Sequence, residues 1–194
     1  LGKSGILDDA YLAGGTACAL QIGHRISLDL DFFTDKEFST KTVLKQLGQL
    51  HGFKFDQTEK WTILGSFLKV KFSYFYYTYP LIEKTFVFSR IKIASLQDIA
   101  AMKIAAICDR GTKRDFIDLY FLTQKFSMDK ILKLYDKKYG KLSNNIFHIL
   151  KSLSYFADAD SQDSPKMLLP VSWNKVRKFF QDQAIKLAKS KLKV

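Results

Sequence analysis

Period-two hydrophobic patterning stops near Ile93, and beyond Ser95 the periodicity is helical almost to the end of the chain. Strands come first and helices after. That order predicts an α+β fold, a small mixed β-sheet with flanking helices followed by a C-terminal helical region. The expected division is 1–94 for the sheet and 95–194 for the helices. In the first part Ile26-Ser27-Leu28-Asp29-Leu30-Asp31-Phe32 alternates strictly, with Ile26, Leu28, Leu30 and Phe32 on one face of a strand and Ser27, Asp29 and Asp31 on the other. Further strands are expected over 61–64, 67–77 and 85–93, with Gly65-Ser66 as the turn between the first two. Helices are expected over 16–23, 40–50, 96–108, 113–124, 128–139, 142–156 and 174–191, with a loop at 157–170 that carries Pro165 and Pro170.

A chain of 194 residues with 47% hydrophobic content buries roughly 70% of its unfolded surface, so a core needs no disulfide or structural metal. Cys18 and Cys108 both sit in apolar, Ala-rich surroundings and are expected as buried thiols. No stretch approaches the roughly 20 apolar residues of a membrane span, and the first residues lack a leader pattern, so no membrane association and a cytoplasmic location are expected. Lys and Arg number 31 against 19 Asp and Glu, a net +12. Half of that excess lies in 171–194, where Lys175, Arg177, Lys178, Lys186, Lys189, Lys191 and Lys193 stand against Asp182. A basic helix of this kind attracts polyanions, nucleic acid above all, through counterion release. The plainer reading is a solvated helix face.

The most informative local feature is Asp29-Leu30-Asp31. A strand places both carboxylates on one face, about 7 Å apart, where they repel and call for a cation. Mg2+ fits, because hard cations take carboxylate oxygens and bridge protein to phosphate. Without other support, the pair is simply the polar face of a half-exposed strand. Upstream, Gly14-Gly15-Thr16 enters a helix. Paired glycines allow close backbone approach, and a helix N-terminus offers N–H groups to phosphate oxygens; alternatively this is a Gly-Gly turn with Thr16 as N-cap. The order of glycine turn, short helix and two-carboxylate strand favours a triphosphate holder beside a metal holder. Arg25 is expected at a phosphate or a nearby carboxylate, and His24 in a structural hydrogen bond. Lys103 is the lone charge in the middle of an otherwise apolar helix. It either snorkels outward or points at a fixed anion such as Asp31 or a bound phosphate. Ser95 with Asp98, and Thr112 with Asp115, match capping boxes. Helical spacing also pairs Arg114 with Asp118 at the surface. The functional alternative has Asp115 or Asp118 orienting or deprotonating an acceptor hydroxyl while Arg110 and Arg114 hold phosphates.

Taken together, the runs 12–17 (LAGGTA), 23–33 (GHRISLDLDFF), 101–110 and 114–120 (RDFIDLY) resemble the AbiEii/AbiGii toxin family of nucleotidyltransferases, within the polymerase-beta-like superfamily. The resemblance extends from about Tyr11 to Leu122. It implies a minimal nucleotidyltransferase fold, a nucleoside triphosphate and Mg2+ as ligands, and a role as the toxin of a bacterial toxin–antitoxin or phage-defence pair, with a cognate antitoxin as partner. Some relatives modify the acceptor end of tRNA, so RNA, tRNA included, or a protein hydroxyl is the expected acceptor. The implied residues are Gly14, Gly15, Thr16, Arg25, Lys103, Arg110 and Arg114 for the nucleotide, Asp29 and Asp31 for metal, and Asp29, Asp31, Lys103 and Asp115 or Asp118 for catalysis. One departure stands out. The superfamily's usual third carboxylate on an adjacent strand is missing from Phe67–Tyr74, whose polar face offers Lys69, Lys71 and Ser73. Two readings follow: an active transferase, or a weakly active module on the same scaffold that binds nucleic acid or a protein partner.

Overall fold

The protein, seen in a computed structural model, is described over residues 1–191; Lys193 of the basic tail lies outside the described residues. The chain forms two compact units. One comprises residues 1–17 and 27–95, the other residues 18–26 and those from 96 onward.

The first unit is built on a seven-stranded mixed sheet. Its strands are β1 (Tyr11–Leu12), β2 (Leu30–Thr34), β3 (Phe53–Glu59), β4 (Thr62–Phe67), β5 (Val70–Tyr76), β6 (Phe86–Phe88) and β7 (Ile91–Ile93), in the order β3-β4-β5-β2-β1-β7-β6. The pairs β2/β5 and β1/β7 are parallel and the others antiparallel. Phe32, Phe72, Tyr74 and Ile63 are buried. Helix α2 (Thr40–Gly48), capped by Ser39 Oγ accepting from Thr42 N, packs on β3 and β4 and buries Val43 and Leu47.

Three expectations for the strands need correcting. The ladder of β2 starts at Leu30, and Ile26 and Leu28 are exposed. Their alternation has no neighbouring strand to bury it, because Ile26 N–H donates to Lys166 O and Thr16 Oγ1 donates to Asp29 O. Gly65-Ser66 is not a turn but the interior of β4. A Cβ on Gly65 would lie 2.5 Å from Lys54 O and 3.1 Å from the Phe53 ring, so the glycine serves close approach of β3. The turn is instead at Leu68-Lys69, both with positive φ, as a two-residue hairpin demands. Likewise 85–93 is two strands around Ser89-Arg90, again both with positive φ. The sequence reading missed β3 altogether, since most of its residues are exposed and polar.

The second unit holds α3 (Leu96–Asp109), α4 (Lys113–Leu122), α5 (Met128–Tyr139), α6 (Leu142–Leu153), the short α7 (Ala157–Asp160) and α8 (Trp173–Lys191). The periodicity located these helices well. The exceptions are that α6 ends at Leu153 rather than 156, and that α7 occupies the start of the expected loop. The helices enclose Ile99, Ile104, Phe116, Leu119, Ile131 and Phe180, with Phe116 against Phe156, Trp173 and Phe180 at centroid distances of 5.1, 5.9 and 5.4 Å. Asp98, expected to serve only the helix start, forms a fully buried pair with Lys138 at 2.9 Å, joining α3 to α5. Along α8, Val176, Phe180, Ala184 and Leu187 face the core, while Lys175, Lys178, Lys186 and Lys189 are exposed. Among the described residues no helix is long and apolar enough to cross a membrane. Cys18 and Cys108 are free thiols, the first buried and the second half-buried.

Candidate active site

Helix α1 (Gly14–Ile22) opens at the edge of β1. Gly14 has φ +67°, and a Cβ there would lie 2.9 Å from Asp31 Oδ2. The left-handed backbone favours glycine here, and any larger residue would also have to displace the Asp31 carboxylate. Ala13 N–H donates to Asp31 O at 3.0 Å, which fixes the register of the turn against β2. Thr16 is buried; its Oγ1 donates to Asp29 O at 2.5 Å and lies 3.0 Å from Ser27 Oγ. The hydroxyl expected to meet a triphosphate thus ties the first turn of α1 to the segment that carries the acids. Asp29 and Asp31 are half-buried. Across the parallel ladder Asp31 pairs with Ser73 of β5, and Ser73 with Leu64 of β4, so the neighbouring strands place no carboxylate beside Asp31.

The lack of a side chain on Gly14 beside Asp31 Oδ2 and the all-oxygen donors of Asp29 and Asp31 suit a hard divalent cation. A cavity of about 380 Å3 lined by Asp9, Tyr11, Lys36, Tyr79 and Lys92, among others, lies past Thr34, at the other end of β2 from these acids.

The second unit holds a buried ion cluster of its own. Arg25 grips Asp118 with Nε to Oδ1 at 2.6 Å and Nη2 to Oδ2 at 2.9 Å. His24 Nε2 lies 2.7 Å from Asp118 Oδ1. Lys103 Nζ bridges Asp118 Oδ2 at 2.6 Å and Asp115 Oδ1 at 2.8 Å. Asp115 also accepts from Arg110 Nε at 3.0 Å and Thr112 Oγ1 at 2.6 Å, and its N–H faces Thr112 Oγ1; this is the N-cap half of the expected capping box, because the Asp115 carboxylate meets the Thr112 hydroxyl and not its backbone N–H. The segment around Arg25 is held by Leu168 and Leu169 N–H donating to His24 O and by the bridge from Arg25 to Met167.

The electrostatics follow from this geometry. Burial alone would raise both carboxyls, but the Lys103 ammonium, with Arg110 at Asp115 and with Arg25 and His24 at Asp118, holds them well below the usual carboxylate range. Burial pulls Lys103 down, yet Asp118 and Asp115 outweigh it and raise its pKa. Burial, seconded by Asp118, pushes the Cys18 thiol up. Cys18, His24 and Asp118 have donor atoms within 4.8 Å of one another. Even so, Asp118 is already enclosed by Arg25 and Lys103 and the thiol is held protonated, so the trio is packing around a cluster rich in cations and not a metal centre.

Lys103 therefore points at a fixed anion, and that anion is the Asp115–Asp118 pair, not Asp31 as the sequence suggested. Arg25 meets a carboxylate and His24 makes a structural hydrogen bond, both as read. Arg110, with 61% of its side chain exposed, holds Asp115. Arg114 is exposed while Asp118 is fully buried, so the expected surface pair between them is overturned. Helix-face spacing did not foresee that residues 24–25 reach Asp118 on α4. The lone Lys103 and the adjacent His24-Arg25 were the available signals.

The chain, with its mixed sheet and the start of α1 set against Asp31 of β2, falls in the nucleotidyltransferase class by its family match. More narrowly, the family model described as nucleotidyl transferase AbiEii toxin, type IV TA system, matches residues 1–186, and the chain belongs to that family. An uncharacterized protein of Aquifex aeolicus strain VF5, aq_aa25, is 40% identical over 183 residues, covering 91% of this chain and 87% of its own. Among solved structures, the nucleotidyltransferase toxin MenT4 of Mycobacterium tuberculosis H37Rv is similar with a TM-score of 0.56 at 18% identity, over 89% of this chain and 74% of that one. JHP933 of Helicobacter pylori gives 0.52 at 17% identity, over 98% and 88%. At these identities the two structures speak for the fold.

Proposed function

We propose that this toxin nucleotidyltransferase moves a nucleoside monophosphate from a nucleoside triphosphate to a hydroxyl of RNA, with tRNA as the first candidate, and that it works with Mg2+. The observation that carries the reading is the approach of Gly14 to Asp31, which puts the open start of α1 beside a carboxylate. Backbone N–H groups of Gly14 and Gly15 at a helix N-terminus suit phosphate oxygens, and Asp29 and Asp31 would hold Mg2+, which when bound neutralises charge developing on the phosphoryl group. The acceptor oxygen attacks the α-phosphorus in line. The new bond is O–Pα, the Pα–O bond to the β-phosphate breaks, pyrophosphate leaves and the hydroxyl proton passes to water. Asp115 and Asp118, ionised and enclosed by cations, are poor general bases; in this reading they position Lys103 and Arg110. The exposed Lys175, Lys178, Lys186 and Lys189 of α8 supply a surface for the RNA backbone.

Incubation with Mg2+, each labelled triphosphate in turn and total tRNA should label the RNA. Asp29→Asn and Asp31→Asn should abolish labelling and keep the circular dichroism spectrum. Transfer unchanged in both variants would refute the assignment. The second reading, a weakly active binding module, is favoured by Ser73 standing opposite Asp31. Salt-sensitive RNA binding with no label from any triphosphate would select it.

A further inference from the structure

The two edges of the sheet are built differently. At one, β3 carries Lys54, Asp56, Gln57, Thr58 and Glu59 at exposed positions, and its pairing with β4 is broken by a bulge between Phe55 and Gln57. Charge and bulge are the usual defences of an edge against strand addition. At the other edge, β6 is Phe86-Val87-Phe88, exposed by 42%, 66% and 60%, with neither charge nor bulge. A two-residue turn at Ser89-Arg90 makes Phe88 and Ile91 the hydrogen-bonded pair that closes the hairpin, so Val87, the next residue along, turns its N–H and C=O away from β7. Three apolar side chains and an outward backbone pair are the elements of a β-augmentation site.

The charges select the occupant. Exposed Lys84 and Arg90 flank β6 three residues to either side of Val87 in the chain, Lys92 stands opposite Val87 on β7 with its ammonium donating to Asp8 O, and Glu83 opposes them in sign. A second copy would bring its own Lys84, Arg90 and Lys92 to the same edge, a concentration of like charge that disfavours self-pairing. An acidic strand meets the same residues favourably. We infer that the β6 edge, through Val87 and between Lys84 and Arg90, is a docking site for an extended acidic segment of another protein, added as an eighth strand. The inference stands apart from the transfer chemistry at Asp29 and Asp31.

The test uses the full chain and three synthetic octapeptides: alternating Val and Glu, alternating Val and Lys, and the Glu peptide N-methylated at alternate residues. The Glu peptide should slow exchange of the Val87 amide at least tenfold. The Lys and N-methylated peptides should bind at least tenfold more weakly. Val87→Pro removes the outward N–H at an edge that tolerates proline and should weaken the Glu peptide at least tenfold, with Arg90→Glu acting in the same direction. If Val87→Pro fails to fold, Arg90→Glu and the N-methylated peptide decide. No protection of Val87 at millimolar Glu peptide, equal binding of Glu and Lys peptides, or a sedimenting dimer that Arg90→Glu strengthens in the absence of peptide would each overturn the proposal.

Discussion

Asp118→Asn is the sharpest probe of the buried cluster. Asp118 is fully buried and its two oxygens receive His24, both Arg25 nitrogens and Lys103 at 2.6 to 2.9 Å. The amide removes the negative charge and leaves Arg25, only 4% exposed, with the carbonyl of Ile26 at 3.1 Å as its remaining close partner in the cluster. Breaking a buried pair from one side costs about 3–5 kcal/mol, a fall in Tm of about 6–20 °C for a chain of this size. Asp115→Asn should cost less, about 1–3 kcal/mol, because Arg110 is largely exposed and can rehydrate while Lys103 keeps Asp118. Adding Arg25→Met to Asp118→Asn should recover part of the loss, since the orphaned guanidinium is then gone, with a coupling of about 0.5–3 kcal/mol. Urea unfolding of the unaltered protein, Asp118→Asn, Asp115→Asn, Arg25→Met and the double variant, followed by circular dichroism, measures all these quantities. A cost for Asp118→Asn below about 1 kcal/mol, or one no larger than that of Asp115→Asn, would refute the view that Asp118 anchors the cluster.

Gly14→Ala should destabilise by about 1–2 kcal/mol from the left-handed backbone alone, and should lower transfer further by pushing Asp31 away; metal titration monitored by calorimetry would show weakened Mg2+ binding. The cluster also fixes a pH dependence. Asp115 and Asp118 titrate lower in the folded chain than the ordinary value of about 3.9, so their contribution is complete above that value and is lost as pH falls through their depressed folded values. Lys103, raised in the folded state, contributes fully below about 10.4 and loses its share only as pH rises through its higher folded value. Urea midpoints should therefore decline below about pH 4, and Asp118→Asn should show a shallower decline than the unaltered protein. Equal slopes would contradict the assignment.

Much of the site was legible because its chemistry is local in sequence. Gly14-Gly15, Asp29-x-Asp31 and the lone Lys103 stand out from their surroundings by residue type, and short-range periodicity found most of the helices because amphipathic faces at 3.6 residues per turn are written in consecutive residues. The strands were harder. Gly65 resembled a turn because its close contact with Phe53 comes from a neighbouring strand, and Ile26 and Leu28 resembled a buried face because alternation does not say whether a neighbour is present. Edge strand β3, polar and exposed, left no periodic trace.

The sequence by itself determined the strands-then-helices order, the acidic pair, the glycine turn and a buried lysine in need of an anion. Only the tertiary structure decided which anion. Residues 24–25 are about 90 positions from Asp118 in the chain, and their ion pairs form because burial strips these charges of water and leaves one another as the available partners. The same holds for the turn at Gly14, which is set beside a carboxylate that arrives from another strand.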